Sequence, residues 1–314
     1  MKRPIAFVLC LAASVSISNN VRAGSLGVAG NYNEFIFTTS TRSNVDSQGQ
    51  VAVGGTATFN NFTVGSNINS GNIYGTDSLI VGGRLTGSQT VVQGYGNALY
   101  GSKDSNTHLY FNGGGSGSVG TISGFFSNAE TYLTSLATTL KNEVANGTTY
   151  RNPYGQMTLT TNGSSQLQVF NVNGSDLSSI NNLSIHSSST NDTIVINVSG
   201  TNDSMQNFGI NLHGIDETHI LFNFYDATSL NLSGINVTGS ILATKALLTG
   251  NNGQINGNVI ANAMTGNIET HLHLFDGTLP TPGAVPEPSS LGLMAAAGLI
   301  PVISMIRRIR GKKA

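Results

Sequence analysis

The chain has 314 residues with 39 glycines, no tryptophan and a formal net charge of −1. Eight of its 14 Lys and Arg lie in the two terminal segments, so residues 24–284 hold six basic residues against 14 acidic ones, a balance of −8. An acidic middle of about 260 residues is enough for one sizeable core, and it excludes nucleic acid and anionic membrane surfaces as partners.

Residues 1–23 read as a secretory signal peptide. Lys2 and Arg3 open it, Ile5 to Ile17 is apolar, and Val21-Arg22-Ala23 offers a small-residue cleavage site before Gly24. Cys10 is the only cysteine, and Leu9 before it argues against a lipoprotein. The mature chain therefore has no disulfide, and packing and backbone hydrogen bonds must hold it together.

Residues 24–280 form the main domain. Gln50-Val51-Ala52-Val53-Gly54-Gly55 matches Ser78-Leu79-Ile80-Val81-Gly82-Gly83 at an offset of 28 residues. Gly239-Ser240-Ile241-Leu242-Ala243 matches Gly257-Asn258-Val259-Ile260-Ala261 at an offset of 18, and Ile235-Asn236 resembles Ile255-Asn256. Fixed offsets of this size predict stacked coils, three short strands and three corners to a turn. Further strand signals run from Leu167 to His273, among them Ile194-Val195-Ile196-Asn197-Val198 and Ile220-Leu221-Phe222-Asn223-Phe224. Asn and Ser at the corners can stack rung on rung and bond backbone groups. The fold class is therefore mainly β, a β-solenoid.

One segment has helical spacing. Ser127-Asn128-Ala129-Glu130 has the form of a capping box, and Phe125, Ala129, Leu133, Leu136, Leu140 and Val144 share one face. Asn146-Gly147 supplies a stop. This amphipathic helix is expected to pack along the solenoid.

The other end repeats the logic of the first. Residues 281–288 form a linker containing Pro286-Glu287-Pro288. Ser289 to Ile306 follows, 18 uncharged residues, roughly 27 Å as a helix and just enough to span a membrane. Arg307, Arg308, Arg310, Lys312 and Lys313 make residues 307–314 a basic cytoplasmic tail. Hydrophobic helices are thus expected at both termini.

Residues 285–314 resemble a PEP-CTERM sorting signal. The resemblance implies a Gram-negative-type host that makes exopolysaccharide and an exosortase-type membrane protease. Pro286, Glu287 and Pro288 would be read by that protease, with Arg307 and Arg308 as a stop. Val51 to Gly55, the helical segment, Leu221 to Thr228, the Gly239 and Gly257 repeats and Phe275-Asp276-Gly277-Thr278-Leu279-Pro280 resemble the choice-of-anchor A family over residues 25–280. That likeness implies an adhesive β-helix at the cell surface or in the extracellular matrix, held at the inner membrane before processing. The chain is also similar to bacterial ice-binding domains, which use regular Thr arrays. Here Thr56-Ala57-Thr58 and Thr158-Leu159-Thr160 occur, but no Thr ladder at a constant offset.

Chemistry is sparse. His271 and His273 with Asp276, or His213 and His219 with Asp216 and Glu217, could begin a metal site, though neither has a compelling ligand spacing. Asp192 and Asp203 sit in Asn-Asp turns suited to calcium or to a plain turn. Carboxylates are scattered rather than convergent, which weighs against a polysaccharide lyase or hydrolase. The expectation is a non-enzymatic surface protein, adhesive or structural in an exopolysaccharide layer, with no required cofactor. The alternatives are a carbohydrate-active enzyme on a β-helix and an ice-binding protein.

Overall fold

The computed structural model describes residues 25–69 and 77–282. The cleavage residues Ala23 and Gly24, the Pro286-Glu287-Pro288 motif, the 289–306 span, and Arg307 and Arg308 lie outside the described residues. Among the described residues no helix is long and apolar enough to cross a membrane.

The domain is a solenoid of parallel strands whose coils each carry up to three short strands. One face stacks, rung on rung, Leu167–Asn173, Thr193–Ser199, Ile220–Asn223, 240–243, 259–261, Glu34–Ile36, Val51–Val53, 79–81, 97–100 and Gly117–Val119. The repeat offsets are real registers: Val51 pairs with Leu79, and Ile241 with Val259. The match of Ile235 to Ile255 is not one, because Ile235 pairs with Gly253 and Val237 with Ile255.

Rung order departs from chain order at one place. Glu34 pairs with Val259, so the first coil stacks directly on the last. From this seam the N-terminal half winds outward to Val119, and the C-terminal half starts at the opposite end and winds back in. The helix between them, α1 (Phe125–Asn142), lies against the rungs of both halves.

Two hydrophobic cores explain the strand composition. Ile36, Val53, Phe62, Val81, Ile196, Phe222 and Ile241 point inward and fill the solenoid. Phe35, Ala52, Ile80, Val195, Leu221, Leu242 and Ile260 point outward on the same strands and are covered by Leu133, Leu136 and Leu140 of α1. Strands buried on both sides read as unbroken apolar runs, as parallel strands under a helix must. Asn171, Asn197 and Asn223 also stack along this face. Asn223 Nδ2 donates to Asn197 Oδ1 at 2.8 Å and to Ala137 O at 3.0 Å, and Asn197 Nδ2 donates to Leu140 O at 2.7 Å. This amide ladder thus ties α1 to the sheet.

The helix differs from expectation at both ends. It begins at Phe125, with Gly124 as N-cap, and Ser127 lies inside its first turn rather than capping it. Phe125 and Phe126 pack on Phe35 at centroid distances of 5.6 and 5.2 Å. That apolar contact outweighs the roughly 1 kcal/mol of a side-chain cap. The helix stops at Asn142, before Asn146-Gly147, and leaves Val144 82% exposed.

The seam carries a polar pair inside the core. Glu34 and Arg42 of the first coil are fully buried and lie 3.1 Å apart. Arg42 Nη2 donates to Ile268 O, and Thr270 Oγ1 donates to Glu34 Oε1 at 3.0 Å, both from the last coil. Burial pushes the Glu34 carboxyl up, while Arg42 and Thr270 pull it back. At the far end Thr148–Arg151 pairs antiparallel with Gln156–Thr160 and covers that edge.

Candidate functional site

The second face of the solenoid is uncovered. It is built, in rung order, from Asn202–Gln206, 229–233, 247–251, 263–266, 40–43, 57–60 and 85–86. Met205, Leu230, Leu232, Leu248, Met264, Phe59 and Leu85 point inward from it and are buried. Alternation then forces the intervening residues outward.

Those outward residues fall into columns. Ser204 pairs with Asn231, Asn231 with Thr249, Thr249 with Thr265, Thr265 with Thr41, Thr41 with Thr58, and Thr58 with Thr86. Five threonines on five successive rungs thus stand in one line. With strands 4.7–4.9 Å apart the line is about 19 Å long. A second column, two residues along each strand, holds Gln206, Ser233 and Asn251 and then Ser43 and Asn60. Threonine is stiff at χ1, so the hydroxyls and methyls are held in order before any ligand arrives.

The sequence holds no Thr ladder at a constant offset, and this line of threonines is not one. The rung offsets along it are unequal, 16, 17 and 28 residues, and its second step, Thr265 to Thr41, crosses the seam. A search at constant offset cannot find a line that runs through a break in chain order. Thr56-Ala57-Thr58 contributes Thr58 to it, while Thr158 and Thr160 lie on a separate sheet.

The border of the face is sharp. Asn207, Asn252, Asn44 and Asn61 all turn the corner with φ between 52° and 54°, and Gly234 does so at 58°. Asparagine tolerates this left-handed conformation better than most residues. Asn61 Nδ2 donates to Asn44 Oδ1 at 3.2 Å across one rung. A side chain on Gly234 would come within 2.4 Å of Asn207 Oδ1, so the ladder requires glycine there. The five-threonine line itself is uncharged. The nearest ion pair, Arg84 with Asp104 at 2.5 Å, sits at its Thr86 end, where Thr86 Oγ1 also donates to Asp104.

The histidines do not assemble into either candidate set. His271 pairs with Glu269 at 3.2 Å, and His273, past the end of its strand, pairs with Glu217 at 3.1 Å. His219 Nδ1 contacts Thr190 O at 3.0 Å, and His213 stacks on His186 with centroids 4.2 Å apart. Asp216 accepts from Thr218 Oγ1 at 2.6 Å and caps its own turn by accepting from Thr218 N, and the two bonds hold its carboxyl low. Asp276 N donates to Thr218 O. Asp192 accepts from Ser187 Oγ at 2.5 Å. Among the described residues no three His, Cys, Asp or Glu side chains gather as metal ligands.

The family described as "Putative Ice-binding-like adhesive domain" matches residues 25–272. No curated protein matches the chain. Among solved structures, the chain is similar to an ice-binding protein from the Antarctic ascomycete Antarctomyces psychrotrophicus, with 12% identity over 83% of this chain and 99% of that one and a TM-score of 0.32. It is similar to the ice-binding protein LeIBP from an Arctic yeast, with 12% identity over 83% and 97% and a TM-score of 0.35. An ice-binding protein from an Antarctic bacterium of the Flavobacteriaceae gives 11% identity over 77% and 81% and a TM-score of 0.33.

Proposed function

The chain belongs to the ice-binding-like adhesive domain family, and on that footing we propose that it is a binding module, not an enzyme, whose threonine face holds an ordered and uncharged surface. The observation that carries this reading is the line of Thr249, Thr265, Thr41, Thr58 and Thr86. A stiff, uncharged line of threonine hydroxyls and methyls suits a lattice of ordered water. It offers many small contacts at fixed spacing and little side-chain entropy to lose. Ice is therefore the favoured ligand.

Exopolysaccharide is the second reading. The flanking amide and hydroxyl columns favour it, as does a polar cleft on the third face lined by Asn236, Thr238, Gln254 and Asn256. Sugar sites ordinarily add aromatic platforms, and the threonine face has none among its described residues. The terminal segments support placing the domain outside the cell. Export would use residues 1–23, and an exosortase-type protease would act near Pro286-Glu287-Pro288 on a PEP-CTERM signal, with the choice-of-anchor A likeness agreeing with a surface location.

The test is partition of the purified chain into slowly growing ice, with Thr41→Lys/Thr265→Lys alongside. The native protein is expected to enter the ice and shape its crystals, and the variant to stay in the liquid while remaining folded. Equal partition of both would remove the threonine face from the mechanism. Exclusion of both, with native protein alone co-eluting with host exopolysaccharide, would favour the second reading.

A further inference from the structure

Asp203 occupies an unusual place. It lies on the strand Asn202–Gln206, points inward, and is 5% exposed. Its Oδ2 is buried without a hydrogen-bond partner. The carboxylate rests against two glycines. A Cβ on Gly174 would lie 1.8 Å from Oδ1, and one on Gly200 would lie 2.0 Å from it. Any other residue at either position would displace the carboxyl group.

The cavity beside it is lined with oxygen. Asn173, Ser175, Ser199, Thr201 and Asn202 surround Asp203 there. Asn173 Oδ1 accepts from Ser199 Oγ at 3.0 Å, and the Ser199 carbonyl lies against Gly174. The nearby cationic side chain, Arg151, is engaged by Asp176 at 2.6 Å and by Ser179 at 2.8 Å. An unpaired carboxylate in such a place is costly unless something positive meets it.

We propose that Asp203, with the oxygens of Asn173, Ser199 and Thr201, forms a calcium site at this corner of the solenoid. Calcium accepts six to eight oxygen ligands, neutral ones included, in loose geometry, whereas magnesium demands a tight octahedron. One carboxylate among neutral oxygens places the affinity in the weak class, about 10⁻⁴–10⁻³ M. The ion would brace the turn between Asn173 and Asn202, where the interior of the C-terminal half closes. Burial raises the Asp203 carboxyl.

The experiment is thermal unfolding of the whole chain at constant ionic strength, titrated separately with calcium, magnesium and sodium chlorides. Calcium at ten times its Kd is expected to raise the midpoint by roughly 3–6 °C, and sodium not at all. Asp203→Asn should abolish the rise, yet be at least as stable as the native chain in calcium-free buffer at neutral pH. Thr201→Val, a milder change, should weaken the response without removing it. An absent calcium response, an equal one with sodium, or one that survives in Asp203→Asn would overturn the proposal. So would an Asp203→Asn chain that unfolds in calcium-free buffer, because the carboxylate would then be structural in itself.

Discussion

Replacing Arg42 with methionine isolates what the seam pair does. Arg42 is fully buried, lies 3.1 Å from Glu34, and packs its guanidinium 5.6 Å from the Phe62 ring. Methionine fills the volume of the stem but leaves Glu34 with only the Thr270 hydroxyl, and Ile268 O loses its Arg42 donor. Removing one member of a buried pair costs about 3–5 kcal/mol, most of it the stranded charge. The orphaned carbonyl overlaps with that figure rather than adding to it in full. At roughly 2–4 °C per kcal/mol for a chain this long, the midpoint should fall by about 6–20 °C. Replacing both, as Glu34→Leu/Arg42→Met, removes the charges together and should restore most of the loss. Urea unfolding followed by circular dichroism measures both, with the m-value reporting whether the two halves still unfold together. A loss below about 1 kcal/mol in Arg42→Met would refute the argument, because the pair would then behave as an exposed one. A double variant as unstable as the single would also refute it.

Two further outcomes follow from the helix. Asn223→Ala leaves Ala137 O and Asn197 Oδ1 without their shared donor and should cost about 1–3 kcal/mol, seen as faster amide exchange in α1 than in the rungs. Asp226 accepts from both Lys141 of α1 and Lys245 of the solenoid at 2.9 Å, and these bonds hold its carboxyl below the usual range. Its contribution is present above the unfolded carboxylate pKa and is lost as pH falls through the depressed native one. Asp226→Asn should therefore narrow the stability difference between neutral and acidic solution by no more than about 1 kcal/mol, an effect that salt shrinks.

The solenoid was legible because each rung repeats one local rule. Val51-Ala52-Val53-Gly54-Gly55 and its copy carry strand and corner in five residues, and their spacing is the true register. The helix was legible from its apolar stripe, but not its start, since the phenylalanines that fix it act through Phe35, some 90 residues earlier in the chain. The alternation of His271 and His273 carries no site, because His273 lies past the end of its strand. The threonine face was hidden for a different reason. Thr265 and Thr41 are neighbours in space and 224 residues apart in sequence, and nothing local marks the seam that joins them.

The seam also sets how the domain responds to force. In a solenoid wound in simple order, the last coil borders one neighbour, and tension on the chain end peels it away one ladder at a time. Here the 259–271 coil lies between two neighbours, paired with 241–256 on one side and with 34–47 on the other. The segment beyond it is fastened to the start of the domain, where Leu279 N donates to Ser25 Oγ and Ser25 Oγ donates to Gly277 O. Tension applied past Thr281 thus meets this staple first and then two ladders loaded in parallel. The middle of the stack resists, where an exposed end would fray.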